Sequence, residues 1–241
     1  MKRKVILLIG VLCLFIIHCI KDSSTELIFP EPEQTGTMTD QDGNMYKTVK
    51  IGNQWWMAEN LKVIHYRNGD LILNNYGCYV NCVYDFDESY TDIYGCLYNW
   101  YAVKDSCNIA PEGWHVPTDE DWKELEIYLG MNHSEADKEG WRGTLEGSKL
   151  AGNGPLWIDG YMEYTTAFGL SGFDALPSGY YLTSYSGDFH SINRGAYFWT
   201  ATDDSSDTSR AWIRYLSYNS SKSCRTNFPK PACIPVRLVK D

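Results

Sequence analysis

The sequence predicts an α+β fold in a single domain with long loops. Three observations carry that expectation. Short runs rich in Tyr, Trp, Val and Ile are separated by turn residues, as strands are. One segment is a strongly capped amphipathic helix. The second half is rich in Gly and Tyr and has no internal repeat of fixed period, which argues against propellers and solenoids. Across 241 residues, 44% are hydrophobic and 22% charged, the balance of a folded chain rather than a disordered one. The net charge of −10 argues against sequence-independent binding of nucleic acid, which needs a basic surface. Eight cysteines suggest an oxidising compartment.

The strand-like runs are Met45–Ile51, Tyr197–Ala201, Ala211–Tyr218 and Ile234–Val239. Asp42-Gly43 is a tight-turn signal. The helix starts at Pro117-Thr118-Asp119-Glu120-Asp121-Trp122. Thr118 is its N-cap, Asp119 and Glu120 favour the dipole, and the acid at the third helical position completes a capping box. Trp122, Leu125 and Leu129 share one face, and Gly130 stands where a terminating glycine belongs. Weaker helical signals cover Ser134–Trp141 and Thr144–Leu150.

The N-terminus is read separately. Lys2, Arg3 and Lys4 precede an apolar stretch from Val5 to Ile17, too short to span a bilayer comfortably and suited to an export signal. The run ends at Cys19 and resembles a bacterial lipoprotein signal, with Cys19 as the lipidated residue. The alternatives are a plain secretory signal or an uncleaved anchor, and His18 departs from the small residue usual before that Cys. The expected layout is therefore a lipoprotein signal peptide at 1–18, a flexible tether at 19–38 holding Pro30 and Pro32, and one domain at 39–241. Loss of residues 1–18 removes three basic residues and no acid, which deepens −10 to −13.

Several blocks, in register, carry a family resemblance: residues 39–52 (TDQDGNMYKTVKIG), Gln54-Trp55-Trp56-Met57-Ala58-Glu59-Asn60-Leu61, Tyr94-Gly95 with Tyr98–Val103, Ala110–Thr118 with Trp122, Gly172–Gly179, Phe198–Thr202, and Pro235-Val236-Arg237. Together they resemble the Fibrobacter succinogenes major paralogous domain over roughly residues 38–241. The resemblance implies a secreted or lipid-anchored protein of the outer membrane or cell surface in Bacteroidetes and Fibrobacteres, and no known activity. The His115–Trp122 segment also resembles a signature of formylglycine-generating and sulfatase-modifying enzymes, which implies a C-type-lectin-like fold. Many relatives carry cysteines just before Gly-Trp-His and just after Val-Arg. Here those places hold a displaced Cys107 and Leu238.

Candidate chemistry follows. Six cysteines remain for the head, and an even number in an exported chain reads as disulfides. Pairing of near neighbours is expected: Cys224 with Cys233, Cys96 with Cys107, and Cys78 with Cys82. Zinc needs four ligands at short paired spacing, and only Cys78/Cys82 approaches it. The loop holding Asp203, Asp204 and Asp207 could hold a hard cation such as calcium, against the plainer reading of a solvated loop. Trp199 and Trp212, with Arg210 and Arg214, edge that loop and are the candidate ligand-binding set, because loop aromatics serve sugar or protein binding. Tyr180, Tyr181, Tyr185 and Phe189 form a second aromatic group. The other block tryptophans read as framework. His115 reads as a packing histidine. The leading expectation is a lipid-anchored surface protein with a lectin-like, non-catalytic head for a glycan or protein. A structural role in envelope assembly and a formylglycine-generating type of enzyme are the alternatives.

Overall fold

The computed structural model describes residues 34–72, 83–183 and 187–241. The expected signal peptide, Cys19, Cys78, Cys82 and Tyr185 lie outside them. The strands in chain order are β1 Gln34–Thr39, β2 Met45–Ile51, β3 Gln54–Met57, β4 Tyr98–Asn99, β5 Trp114–His115, β6 Gly140–Arg142, β7 Ser178–Leu182, β8 Asp188–Ile192, β9 Gly195–Asp203, β10 Arg210–Ser217, β11 Ser223–Pro229, β12 Cys233–Ile234 and β13 Val239–Lys240. The helices are α1 Thr91–Tyr94, α2 Trp100–Val103, α3 Asp119–Tyr128, α4 His133–Ala136 and α5 Glu146–Leu150. Strand outweighs helix, and the strands form three sheets in one domain: β1-β2-β3-β13-β5, β6-β11-β10-β9 and β4-β12-β7-β8.

The expected β2 and α3 are present. Thr118 Oγ1 accepts from the Asp121 backbone N–H, and the Asp121 carboxylate accepts from the Thr118 N–H at 2.8 Å, a reciprocal cap. Trp122, Leu125 and Leu129 are buried. Elsewhere the sequence reading needs correction. Residues 34–38, expected in the tether, pair with β2 as strand β1, from Gln34 opposite Lys50 to Thr39 opposite Met45. Asp40 makes this hairpin rigid: its carboxylate accepts from the backbone of Asp42 and Asn44 and from the Tyr46 hydroxyl. The helix expected at Ser134–Trp141 stops at Ala136, and Trp141 belongs to β6. Gly140, at φ +86°, breaks the helical path. The run Ile234–Val239 divides into β12 and β13 on two sheets.

Two cores lie on the two faces of the β9–β10 pair. Trp199 and Ile213 face Tyr46, Met57, Trp100 and Ile234. Phe198 and Leu216 face Trp56, Trp122, Leu125 and Phe173. The rings of Trp56, Trp122 and Phe173 meet at centroid distances of 5.0 to 5.6 Å. Each fully buried ring contributes on the order of 2–3 kcal/mol by burial. The block aromatics are thus the framework.

The cysteine pairing changes too. Cys224 on β11 and Cys233 on β12 sit in different sheets, which keeps them apart. Cys96, Cys107 and Cys224 are free thiols, so neither the 224–233 nor the 96–107 bridge forms. Cys233 is disulfide-bonded.

Candidate functional site

The residues expected to bind ligand do not converge. Cross-strand pairing sets Trp199 opposite Ile213, so Trp199 and Trp212 lie on opposite faces of the sheet. Trp199 is fully buried, and its indole N–H donates to the Tyr98 carbonyl at 2.7 Å. The Trp212 ring lies under the Arg225 guanidinium at 3.6 Å. Arg210 donates to the Asn227 side chain. Asp203 pairs with Lys230 at 2.5 Å. Asp204 accepts from Ser206 and Asn227, and Asp207 from Ser209. These carboxylates shape the loop, and among the described residues no group of three His, Cys, Asp or Glu side chains is placed to hold a metal.

Arg214 enters a sealed layer of charge between α3 and the β6–β9 sheet. Its guanidinium pairs with Asp119 at 2.8 Å and Glu126 at 3.1 Å. Glu126 also accepts two N–H bonds from Arg142, at 2.7 and 2.9 Å, and the Ser223 hydroxyl at 2.6 Å. Arg225 grips both oxygens of Asp119. Burial alone would raise the Asp119 carboxyl, but Arg225 and Arg214 outweigh it and hold that group well below the carboxylate range. Inside this layer each carboxylate is bound by two arginines, Glu126 by Arg142 and Arg214 and Asp119 by Arg214 and Arg225, while the buried Arg142 Nε has no partner among the described residues.

An open concentration of charge lies elsewhere. A cleft of about 530 Å³ lies where β2, the segment after β3, α1 and the 172–177 loop meet. Its polar lining is Lys47, Glu59, Asn60, Lys62, Asp92, Asn153 and Asp174, and Ile93 and Leu176 supply apolar wall. Lys47, Asp92 and Asp174 are exposed. Lys62 and Asp92 approach no closer than 3.9 Å. Glu59 uses one carboxylate oxygen on the Lys47 backbone N–H at 2.6 Å.

The floor is rigid. Arg237 is fully buried and lies over the Phe173 ring at 4.6 Å. It donates to Asn60 Oδ1 at 2.8 Å, to the Met57 carbonyl at 3.2 Å, to the Phe173 carbonyl, and to the Asp174 carbonyl at 2.6 Å. Burial pushes its guanidinium down to about 9. Asn60 in turn donates to the Tyr94 carbonyl at 2.8 Å. A side chain at Gly95 would meet Asn60 Cβ at 2.7 Å, so this wall needs glycine. Asp174 sits in the left-handed region at φ +52°, held there by the Arg237 bond to its carbonyl.

Lys47, Glu59, Asn60, Gly95, Asp174, Leu176 and Arg237 all come from the sequence blocks quoted above. A family model, the Fibrobacter succinogenes major domain, matches residues 49–240. The chain belongs to that family. No curated protein and no solved structure matches it. In this Fibrobacter succinogenes major domain, those blocks build a tryptophan and phenylalanine core and supply much of a polar cleft beside a buried arginine. Sequence reasoning missed the cleft. The available signal was Arg237 itself, a charged residue in an apolar terminal run (Ile234, Val236, Leu238, Val239), where only a buried, fully paired arginine fits.

Proposed function

We propose that this chain is an exported, lipid-anchored surface protein whose head is a C-type-lectin-like, non-catalytic binding module, and that it binds a glycan in the Lys47–Asp174 cleft. The observation that carries the reading is the cleft's composition. Lys47 and Lys62 only donate hydrogen bonds, and the Glu59, Asp92 and Asp174 carboxylates only accept them. A sugar hydroxyl does both, so vicinal hydroxyls pair with alternating donors and acceptors. A concave site with a few convergent polar groups on a pre-formed floor is the ordinary form of a small-ligand site. The lectin-like assignment is supported by the first and last strands among the described residues sharing one sheet while a loop-rich second half builds another.

The non-catalytic reading draws support from Cys224. Burial pushes its thiol up to about 11, whereas a nucleophilic cysteine needs an accessible thiolate. The export and anchor reading rests on the basic start, the Val5–Ile17 run and Cys19. The test is a glycan array probed with the chain from residue 20 onward, with and without calcium. Selective retention of one glycan class supports the proposal, and a blank array under both conditions contradicts it.

A further inference from the structure

Open sheet edges expose unpaired backbone N–H and C=O groups, and folded proteins usually blunt them. Among the described residues, most sheet edges of this protein are blunted. The outer side of β9 is covered, because the Trp199 and Ala201 N–H groups donate to the carbonyls of Pro235 and Pro117. β4 and β5 are two residues long and β6 three. β8 carries Ser191 at φ +63°, which breaks its extended path. β1 is the exception. It is six residues long, pairs with β2 along its whole length, and holds no proline and no charge (Gln-Thr-Gly-Thr-Met-Thr). Its one weak point, Gly36, lies within reach of the Trp55 ring, which shields it.

We propose that the free edge of β1 pairs antiparallel with β1 of a second copy of this chain, joining the two five-stranded sheets into one. The strand is complementary to itself in one register. Centred on Thr37, the pairing sets Thr35, Thr37 and Thr39 opposite Thr39, Thr37 and Thr35 of the second copy, and these three threonines are exposed. Facing threonines are favourable cross-strand pairs. On the other face the same register sets Gly36, the smallest side chain, opposite Met38, the largest. Lys47 lies opposite Thr37 in β2. Three strand spacings, about 14 Å, then separate it from Lys47 of the second copy. The two clefts stand side by side, an arrangement suited to a repeating ligand.

A single paired edge buries far less than the roughly 1,200 Å² of a stable soluble dimer. The pairing therefore belongs to crowded copies, and it rests on the lipid-anchored reading to supply that crowding. Copies anchored in one membrane plane meet at a higher local concentration than copies free in solution, and β1 begins at Gln34, near the anchored end of the chain.

The test is oxidative cross-linking of the full-length Thr37→Cys variant in cell membranes, with the wild-type chain and a Tyr164→Cys variant, also at an exposed position, as background. The purified full-length variant at about 1 mM forms a second arm. Melting temperatures confirm that the variants are folded. The proposal expects dimer at Thr37→Cys to form at least tenfold faster than at Tyr164→Cys in either arm. Equal rates in both arms overturn it, and so does cross-linking of Thr37→Cys to a different protein. The fraction in which the chain is found tests the anchor separately.

Discussion

The buried layer at Asp119, Glu126, Arg142, Arg214 and Arg225 and the open cleft at Lys47, Glu59, Lys62, Asp92 and Asp174 contain similar numbers of charges and do opposite things. In the first, two carboxylates are each bound by two arginines in a buried seam, and α3 is fixed to the sheet. In the second, charges stand in solvent over an arginine that holds backbone carbonyls in place. Charge alone therefore does not mark a binding site. Under the proposed function, spare hydrogen-bonding capacity beside a rigid floor is what marks one.

The comparison breaks most visibly at Glu126. Glu126→Ala removes the shared partner of Arg142 and Arg214 and leaves buried cations unanswered, a loss of about 3–5 kcal/mol in urea unfolding. A loss below about 1 kcal/mol would mean the seam does not hold the fold. Arg237→Met fills the volume but strands the Met57, Phe173 and Asp174 carbonyls. It should cost about 3 kcal/mol and weaken glycan retention as well, because Asp174 loses its anchor. Stability loss with full retention would separate the floor from the cleft's function.

The smallest effect is at His115, whose ring nitrogens approach Asp121 at 3.3 Å and Asp241 at 2.6 Å. Asp121, then Asp241, raise the imidazole above its ordinary 6.5 against the opposing effect of burial. The folded state favours the protonated ring, so its stabilisation is complete below 6.5 and fades as pH rises through the raised value. The side chain is 38% exposed, which limits the effect to about 0.3 kcal/mol. His115→Gln should flatten the stability–pH curve in that window. An unchanged curve would remove the clamp.

What the sequence showed was local. The Thr118–Asp121 cap and β2 follow from neighbours in the chain. β1 escaped notice because its polar, threonine-rich run follows a proline-bearing tether and gains its meaning only from Met45–Ile51. The ligand set failed for a related reason. Alternation in β10 shows that Trp212 and Arg214 share a face, but not that the face is covered by α3. Asp119 reads as an ordinary first-turn acid until Arg225, 106 positions away, closes on it. The cleft unites Lys47, Asp92 and Asp174, which no spacing rule joins.

The central claim is that the open cleft, and not the acidic loop or the buried seam, is where ligand binds. The most direct measurement is a glycan array comparing the wild-type chain with a Lys47→Ala/Asp174→Ala double variant of matched melting temperature. The account predicts a glycan class retained by the wild type and lost, by at least tenfold in signal, in the variant. Undiminished retention by the folded variant would contradict it.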